Sequence, residues 1–244
     1  MQVESIALAL EDSPPQPEEL AARIYARVFH ELKPRTTLPR IQVQFRSYAN
    51  ANAQVRLDQG QLLIKMADTL AGAPEDVIEA LAEILLSKLF RKPVPRQSND
   101  RYRRYMNRRD IRESLNLVRQ IRGRKRVHPP QGTHFNLEEL FEDLNFRYFF
   151  GMMARPALGW SPHASRTLLG HYDPPHNTIV LSRSLDRADI PKVAVEYVLF
   201  HEMLHLRYPA EHKGARRRVH TKDFKQAEKQ FERLAEAQAA LKKL

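Results

Sequence analysis

The chain has 244 residues, 42% of them hydrophobic and 28% charged. That balance is typical of folded globular proteins and excludes the apolar-poor composition of disorder; the length suffices for one large domain or two small ones. Cysteine is absent, which excludes disulfides, thiolate metal sites, cysteine nucleophiles and iron–sulfur clusters, so any metal must be held by His, Asp or Glu.

No apolar run approaches the ~18 residues of a membrane-spanning helix. Met1 to Leu10 has neither the basic start nor the long apolar stretch of a secretory signal. A soluble, cytoplasmic protein without a membrane partner is expected. The formal net charge of +11 is concentrated in one place: Arg91 to Arg126 holds fourteen Lys or Arg against Asp100, Asp110 and Glu113, and the rest is close to neutral. An acidic partner is therefore expected for that segment alone.

In chain order, residues 1–17, with Ser13-Pro14-Pro15-Gln16-Pro17, read as a flexible lead. Leu20, Ile24, Val28 and Leu32 then recur at helical spacing. Ile41 to Phe45 alternates like a strand, and a turn at Asp58-Gln59-Gly60 precedes Leu62-Leu63-Ile64 as in a hairpin. A second helix follows, containing Leu81 to Leu86, and Lys92-Pro93-Val94-Pro95 stops it. Tyr102 to Val118 fits a helix loosely, and Gly123 to Arg126 leads into Pro129-Pro130.

The same order then recurs. Leu137, Leu140, Phe141, Leu144 and Tyr148 form a helical stripe, Ala157 to Trp160 a strand, and Asp173 to Asn177 a turn before Ile179-Val180-Leu181. Phe200-His201-Glu202-Met203-Leu204-His205 lies in the next helix and aligns without a gap with Leu81-Ala82-Glu83-Ile84-Leu85-Leu86. Ala82 and Leu86 stand where the histidines are. The expected fold class is α+β: two tandem helix–β-hairpin–helix units, each with a small twisted sheet. The first unit, over 18–90, lacks metal ligands; a basic, partly helical linker spans 91–133; the second unit spans 134–244 and ends in a long helix starting near Thr221.

His201-Glu202-Met203-Leu204-His205 carries the chemistry. Residues four apart share a helix face, about 5–6 Å apart, so two imidazoles converge on one zinc ion. Glu202, off that line, reaches a water in the open coordination position and serves as general base. A catalytic zinc needs a third protein ligand. Pro209 ends the helix, which moves His212 into a loop. His220, just before a helix start at Thr221, fits the third place best, with His212 and Glu228 as alternatives.

With Phe224 four residues beyond His220, this set resembles the SprT-like zinc metalloprotease domain. Leu140-Phe141, Leu144-Asn145, Tyr148-Phe149, Trp160, Arg166 and Thr178 to Ser182 are similar to that family's approach to its active-site helix. The likeness covers about residues 136–231. It implies a zincin-like metallopeptidase acting on protein or peptide, with Zn2+ held by His201, His205 and His220 and with Glu202 as base. Many members also carry a cysteine-rich zinc ribbon, which this chain cannot form. Some act on proteins crosslinked to DNA, so the basic segment is expected to bind nucleic acid through Arg101, Arg103, Arg104, Arg108 and Arg109, with Tyr102 and Tyr105 as stacking platforms.

Other residues have blander readings. Arg207, Tyr208 and His212 read as a solvated helix end before oxyanion donors, His163, His171 and His176 as exposed loop histidines, and Trp160 as core. Thr178 to Arg183 is a candidate edge strand for main-chain pairing with a peptide. Two alternative functions stand beside the peptidase: a nucleic-acid-binding protein with a structural or degenerate zinc site, and a zinc hydrolase of non-peptide substrates.

Overall fold

The computed structural model describes residues 16–244, so the expected lead lies outside the described residues except for Gln16 and Pro17, and Pro17 already begins a helix. The chain is α+β and divides into two compact units, residues 16–115 and 116–244 among those described. Among the described residues no helix is long and apolar enough to cross a membrane.

In the first unit, α1 (Pro17–Leu32) starts with a proline whose missing N–H is no loss in the first turn, and with Glu18 and Glu19 facing the positive end of the helix dipole. Its inner stripe buries Ile24, Tyr25, Val28 and Phe29. The strands β1 (Arg40–Arg46), β2 (Ala53–Asp58) and β3 (Gln61–Ala67) form a sheet of order β1-β3-β2. β1 runs parallel to β3 and β2 antiparallel to it. Gln59 and Gly60 both adopt positive φ, 44° and 74°, as a two-residue hairpin turn matched to strand twist requires. α2 (Glu75–Leu89) packs Val77, Ile78, Leu81 and Leu86 into the core.

The segment expected as a linker is largely helical. α3 (Arg96–Met106) packs on α2, and Tyr105, 8% exposed, belongs to the first unit's core. α4 (Arg109–Arg122) has no buried residue. The chain breaks at Asn107 and Arg108 between them, so the apolar period restarts there; this is why the stretch reads loosely as one helix.

The second unit repeats this topology. α5 (Leu137–Phe149) opens on Asn136, whose side chain accepts the Glu138 N–H. β4 (Ala157–Trp160), β5 (Gly170–Asp173) and β6 (Thr178–Leu181) form a sheet of order β4-β6-β5, with β4 parallel and β5 antiparallel to β6. β6 is thus the central strand, with both edges already paired. The expectation that Thr178 to Arg183 offers a free edge is therefore corrected: the edges are β4 and β5, with β4 bridged at Trp160 by His128. Trp160 is core, 2% exposed, with its indole N–H donated to the Pro130 carbonyl at 3.0 Å.

α6 (Lys192–Arg207) buries Val195, Leu199, Phe200, Met203 and Leu204 and runs through the middle of the unit's core. It ends before Pro209. A small hairpin of β7 (Glu211–Lys213) and β8 (Arg216–Arg218) follows. The long terminal helix expected from Thr221 is instead two: α7 (Lys222–Glu228) and α8 (Leu234–Leu241). The break between them turns Phe231 inward, 5.3 Å from the Phe200 ring and 5.8 Å from Tyr148.

Asp186 ties the entry of α5 to the approach of α6. Its carboxylate accepts the backbone N–H groups of Thr133 (2.6 Å), His134 (2.8 Å) and Phe135 (3.1 Å). Partial burial raises its pKa, but these three donors outweigh it and hold the group below the usual carboxylate range. A lowered folded pKa gives stability that is full above the unfolded value, about 3.9, and is lost as pH falls through the folded value. Asp186→Asn is expected to cost about 1–3 kcal/mol at pH 7. Its deficit against the unsubstituted chain should narrow as pH falls below about 4, read from urea unfolding at stepped pH. A deficit that does not change with pH would show that the carboxylate's charge is not what these amides bind.

Candidate metal centre

His201 and His205, one turn apart on α6, present their rings to the same side with centroids 5.1 Å apart. The third ring arrives from the chain that returns after Pro209. Thr221 caps α7 by accepting the Phe224 N–H at 3.2 Å, and this fixes His220 just outside the helix, 5.0 Å from His201 and 5.2 Å from His205, centroid to centroid. One ligand atom from each of the three lies within 4.8 Å of the others, and among the described residues this is the one His, Asp or Glu group that converges so. Phe224, fully buried, is the floor beneath them, its ring 5.1, 4.7 and 4.7 Å from those of His201, His205 and His220.

Glu228, weighed from sequence as a ligand, has another place. Its Oε1 accepts from His201 Nδ1 at 2.6 Å and from the Tyr197 hydroxyl at 3.0 Å. A proton on Nδ1 leaves Nε2 as the lone-pair donor, the arrangement found where carboxylates orient metal-binding imidazoles. The His201 hydrogen bond chiefly holds Glu228 below its usual range. His212 lies on β7, opposite Arg217, and is not one of the three converging rings.

Glu202 is 5% exposed. Burial pushes its pKa up to about 7, against the opposing pull of His201 and of the Tyr172 backbone N–H. Room for this carboxylate exists because residue 170 is glycine: a Cβ there would stand 2.8 Å from Val198 and 3.0 Å from the Glu202 side chain. Burial lowers His205 to about 4, helped by His201 and His220. Burial also lowers His220. Neutral imidazoles are the ligand form, so these donors fit a borderline-soft divalent cation.

The three histidines and Glu202 line a cleft of about 460 Å³, together with Gly170, Tyr172 and Arg217. A larger cavity of about 600 Å³ lies beside it, walled by Tyr148, Phe149, Phe200 and Tyr208, and touches the cleft at Tyr172 and Leu206. It holds no carboxylate and no imidazole, so the chemistry belongs to the smaller space. Arg207 and Tyr208 line the larger cavity only, whereas Arg217, which sequence reasoning passed over, lines the cleft. His163 is exposed as expected, but His171 and His176 are half-buried. His171 Nε2 meets Lys125 Nζ at 2.6 Å, and His176 Nδ1 meets Asp173 at 2.8 Å.

At the aligned positions of the first unit, Ala82 and Leu86 are wholly buried and offer no lone pair. Glu83 there accepts a hydrogen bond from the buried hydroxyl of Ser98. The five arginines singled out on the basic segment are not equivalent. Arg108 is bound by Asp110 at 3.1 and 2.6 Å, Arg109 by Glu113 at 2.7 Å, and Arg101 approaches Asp76 at 3.7 Å. Arg103 and Arg104 are exposed on α3. Tyr105 is core and Tyr102 packs against it, which corrects their reading as stacking platforms: the apolar face of α3 turns inward.

No curated protein and no solved structure matches the chain. The family model of the SprT-like family matches residues 137–243, from the first residue of α5 past the end of α8. The matched span contains the convergent histidines, Glu202, Glu228 and Phe224, so the site lies wholly within the part of the chain that resembles the SprT-like family.

Proposed function

We propose that the second unit is a zinc-dependent metallopeptidase of zincin-like fold, in which His201, His205 and His220 hold the metal and Glu202 is the general base. The carrying observation is three imidazoles with ligand atoms within 4.8 Å, sharing a cleft with a buried carboxylate raised to about 7. Three neutral nitrogen donors with one position left open is a catalytic zinc set, since a structural site closes with four. A bound zinc ion would supply Lewis acidity that acidifies water and polarises a carbonyl. The chain's own groups do the rest. Glu202 takes a proton from the attacking water and passes it to the leaving amine. Glu228 keeps His201 in one tautomer, and Phe224 keeps water from beneath the rings. The family match supports peptide bonds as the substrate.

The first unit reads as a degenerate copy of the second. In support, both have a helix, a mixed sheet of the same strand order, and a second helix, and α2 has lost the imidazoles while keeping Glu83.

A second reading concerns the basic helices. α4 buries no residue, and Arg103 and Arg104 are exposed on α3. That supports contact with nucleic-acid phosphates, which would bring the peptidase to protein lying on DNA.

About one zinc per chain is expected by metal analysis, and none after His201→Ala or His205→Ala. Glu228→Gln should weaken zinc binding by roughly 10–100-fold in competitive chelation, His220→Ala by more, and His212→Ala hardly at all. Zinc held equally well by His220→Ala would remove that residue from the set.

Glu202→Gln keeps the shape of the side chain but cannot take the proton. It is expected to retain zinc and lose at least about 100-fold in casein hydrolysis. A zinc-loaded, active Gln variant would end the general-base assignment.

Binding to single- and double-stranded DNA is expected to weaken steeply with salt, by a log–log slope of roughly −0.7 to −0.9 per phosphate contact. Changing Arg103 and Arg104 to Ser should flatten it. Weak, salt-insensitive binding by both proteins would discard the nucleic-acid role and leave the peptidase reading untouched.

A further inference from the structure

The cleft holds one charged side chain that hydrolysis, as described, does not employ. Arg217 stands in the middle of β8 and lines the cleft with the three histidines and Glu202. Successive residues of a strand point to opposite sides, and the cleft is lined by Arg217 but by neither Arg216 nor Arg218. Its charge is near enough to act on His205. Of the three acids in this stretch, Glu228 binds His201 and Tyr197, Glu211 stands opposite Arg218 in the hairpin register, and Asp223 is exposed in the first turn of α7. All three arginines of β8 are exposed, and Arg217 alone of them lines the cleft.

We propose that Arg217 is a specificity residue, selecting peptides that carry an acidic side chain close to the scissile bond by pairing its guanidinium with that carboxylate. The inference rests on the peptidase reading above. A guanidinium presents two parallel N–H donors that match a carboxylate, which a neutral amide uses poorly and an ammonium not at all. In open solvent such a pair is worth little. Here a bound peptide fills a cleft of about 460 Å³ and displaces the water that would screen it, while a basic side chain at the same point meets like charge.

Three fluorogenic peptides that differ only in Glu, Gln or Lys beside the cleaved bond test this on the zinc-loaded full chain. Glu is expected to exceed Gln by about tenfold in kcat/KM, mainly through KM, with Lys lowest. Arg217→Ala should make Glu and Gln equal, Arg217→Glu should favour Lys, and Arg216→Ala should keep the original order. Binding of the same peptides to the Glu202→Gln chain, followed by fluorescence anisotropy, should rank them alike. Arg217 is exposed, and the zinc content of each variant reports an intact site.

Equal cleavage of Glu and Gln by the unsubstituted chain overturns the proposal while leaving the peptidase reading standing. So does a preference that survives Arg217→Ala, or a uniform fall in kcat on all three peptides with KM unchanged. Loss of oligonucleotide binding in Arg217→Ala, with peptide ranking intact, would make it a phosphate contact instead. Failure to cleave any of the peptides, or casein, overturns both readings together.

Discussion

Imidazoles brought within ligand distance of one another would repel as cations, and a carboxylate cannot be sealed beside them unless something holds it. The second unit meets both demands by burial. Burial lowers His205 to about 4 and lifts Glu202 to about 7, so rings and carboxylate move toward the forms that metal binding and base catalysis use. Most of the unit serves to keep that crowding in place. α6 is apolar on nearly all sides and is clamped by Phe141, Leu181 and Phe224, so its two histidines cannot relax apart. Thr221 and Phe224 deliver the third ring, and Glu228 fixes how the first is turned.

Local pattern made much of this legible from the residues alone. The helices around Ile24 and Leu140, both hairpins, the end of α6 at Pro209 and the pairing of His201 with His205 depend on spacing within a few residues. What sequence reasoning missed depends on contacts between distant residues. Glu228 meets His201 from 27 positions away, and at that separation no helical period says whether a carboxylate will join the three imidazoles or bind one of them from behind. Strand order is similar: a short β-branched apolar run marks Thr178 to Leu181 as a strand, but only the crossover that sets β4 parallel to β6 makes it central. Tyr105 hid among arginines because a charged helix can still turn one apolar face inward.

Arg217 and Gly170 were overlooked for a related reason. An arginine in a run of three is read as solvated until a hairpin register gives its side chain a direction. A lone glycine in a strand is read as a weak point until a neighbouring helix needs the space of its missing side chain. Both acquire meaning only once α6 and the returning chain are in place around the cleft.

The two units let the role of a glutamate be compared on matched scaffolds. Each carries a sheet in which the third strand lies between the first and second, followed by a helix with a glutamate at the aligned position. In the first unit the flanking positions are alanine and leucine, wholly buried, and the Ser98 hydroxyl donates to Glu83. The carboxylate is answered by a side chain from the next helix, and the space an incoming water would need is filled with core. In the second unit the flanking positions are imidazoles opening on a cleft, and Glu202 has the Tyr172 amide, with burial holding its pKa near 7. What separates the first unit's glutamate from the base proposed in the second is therefore the atoms that satisfy it. One carboxylate has a hydroxyl supplied by the fold, and the other lines a cleft where, in the proposed reaction, the proton it accepts belongs to water.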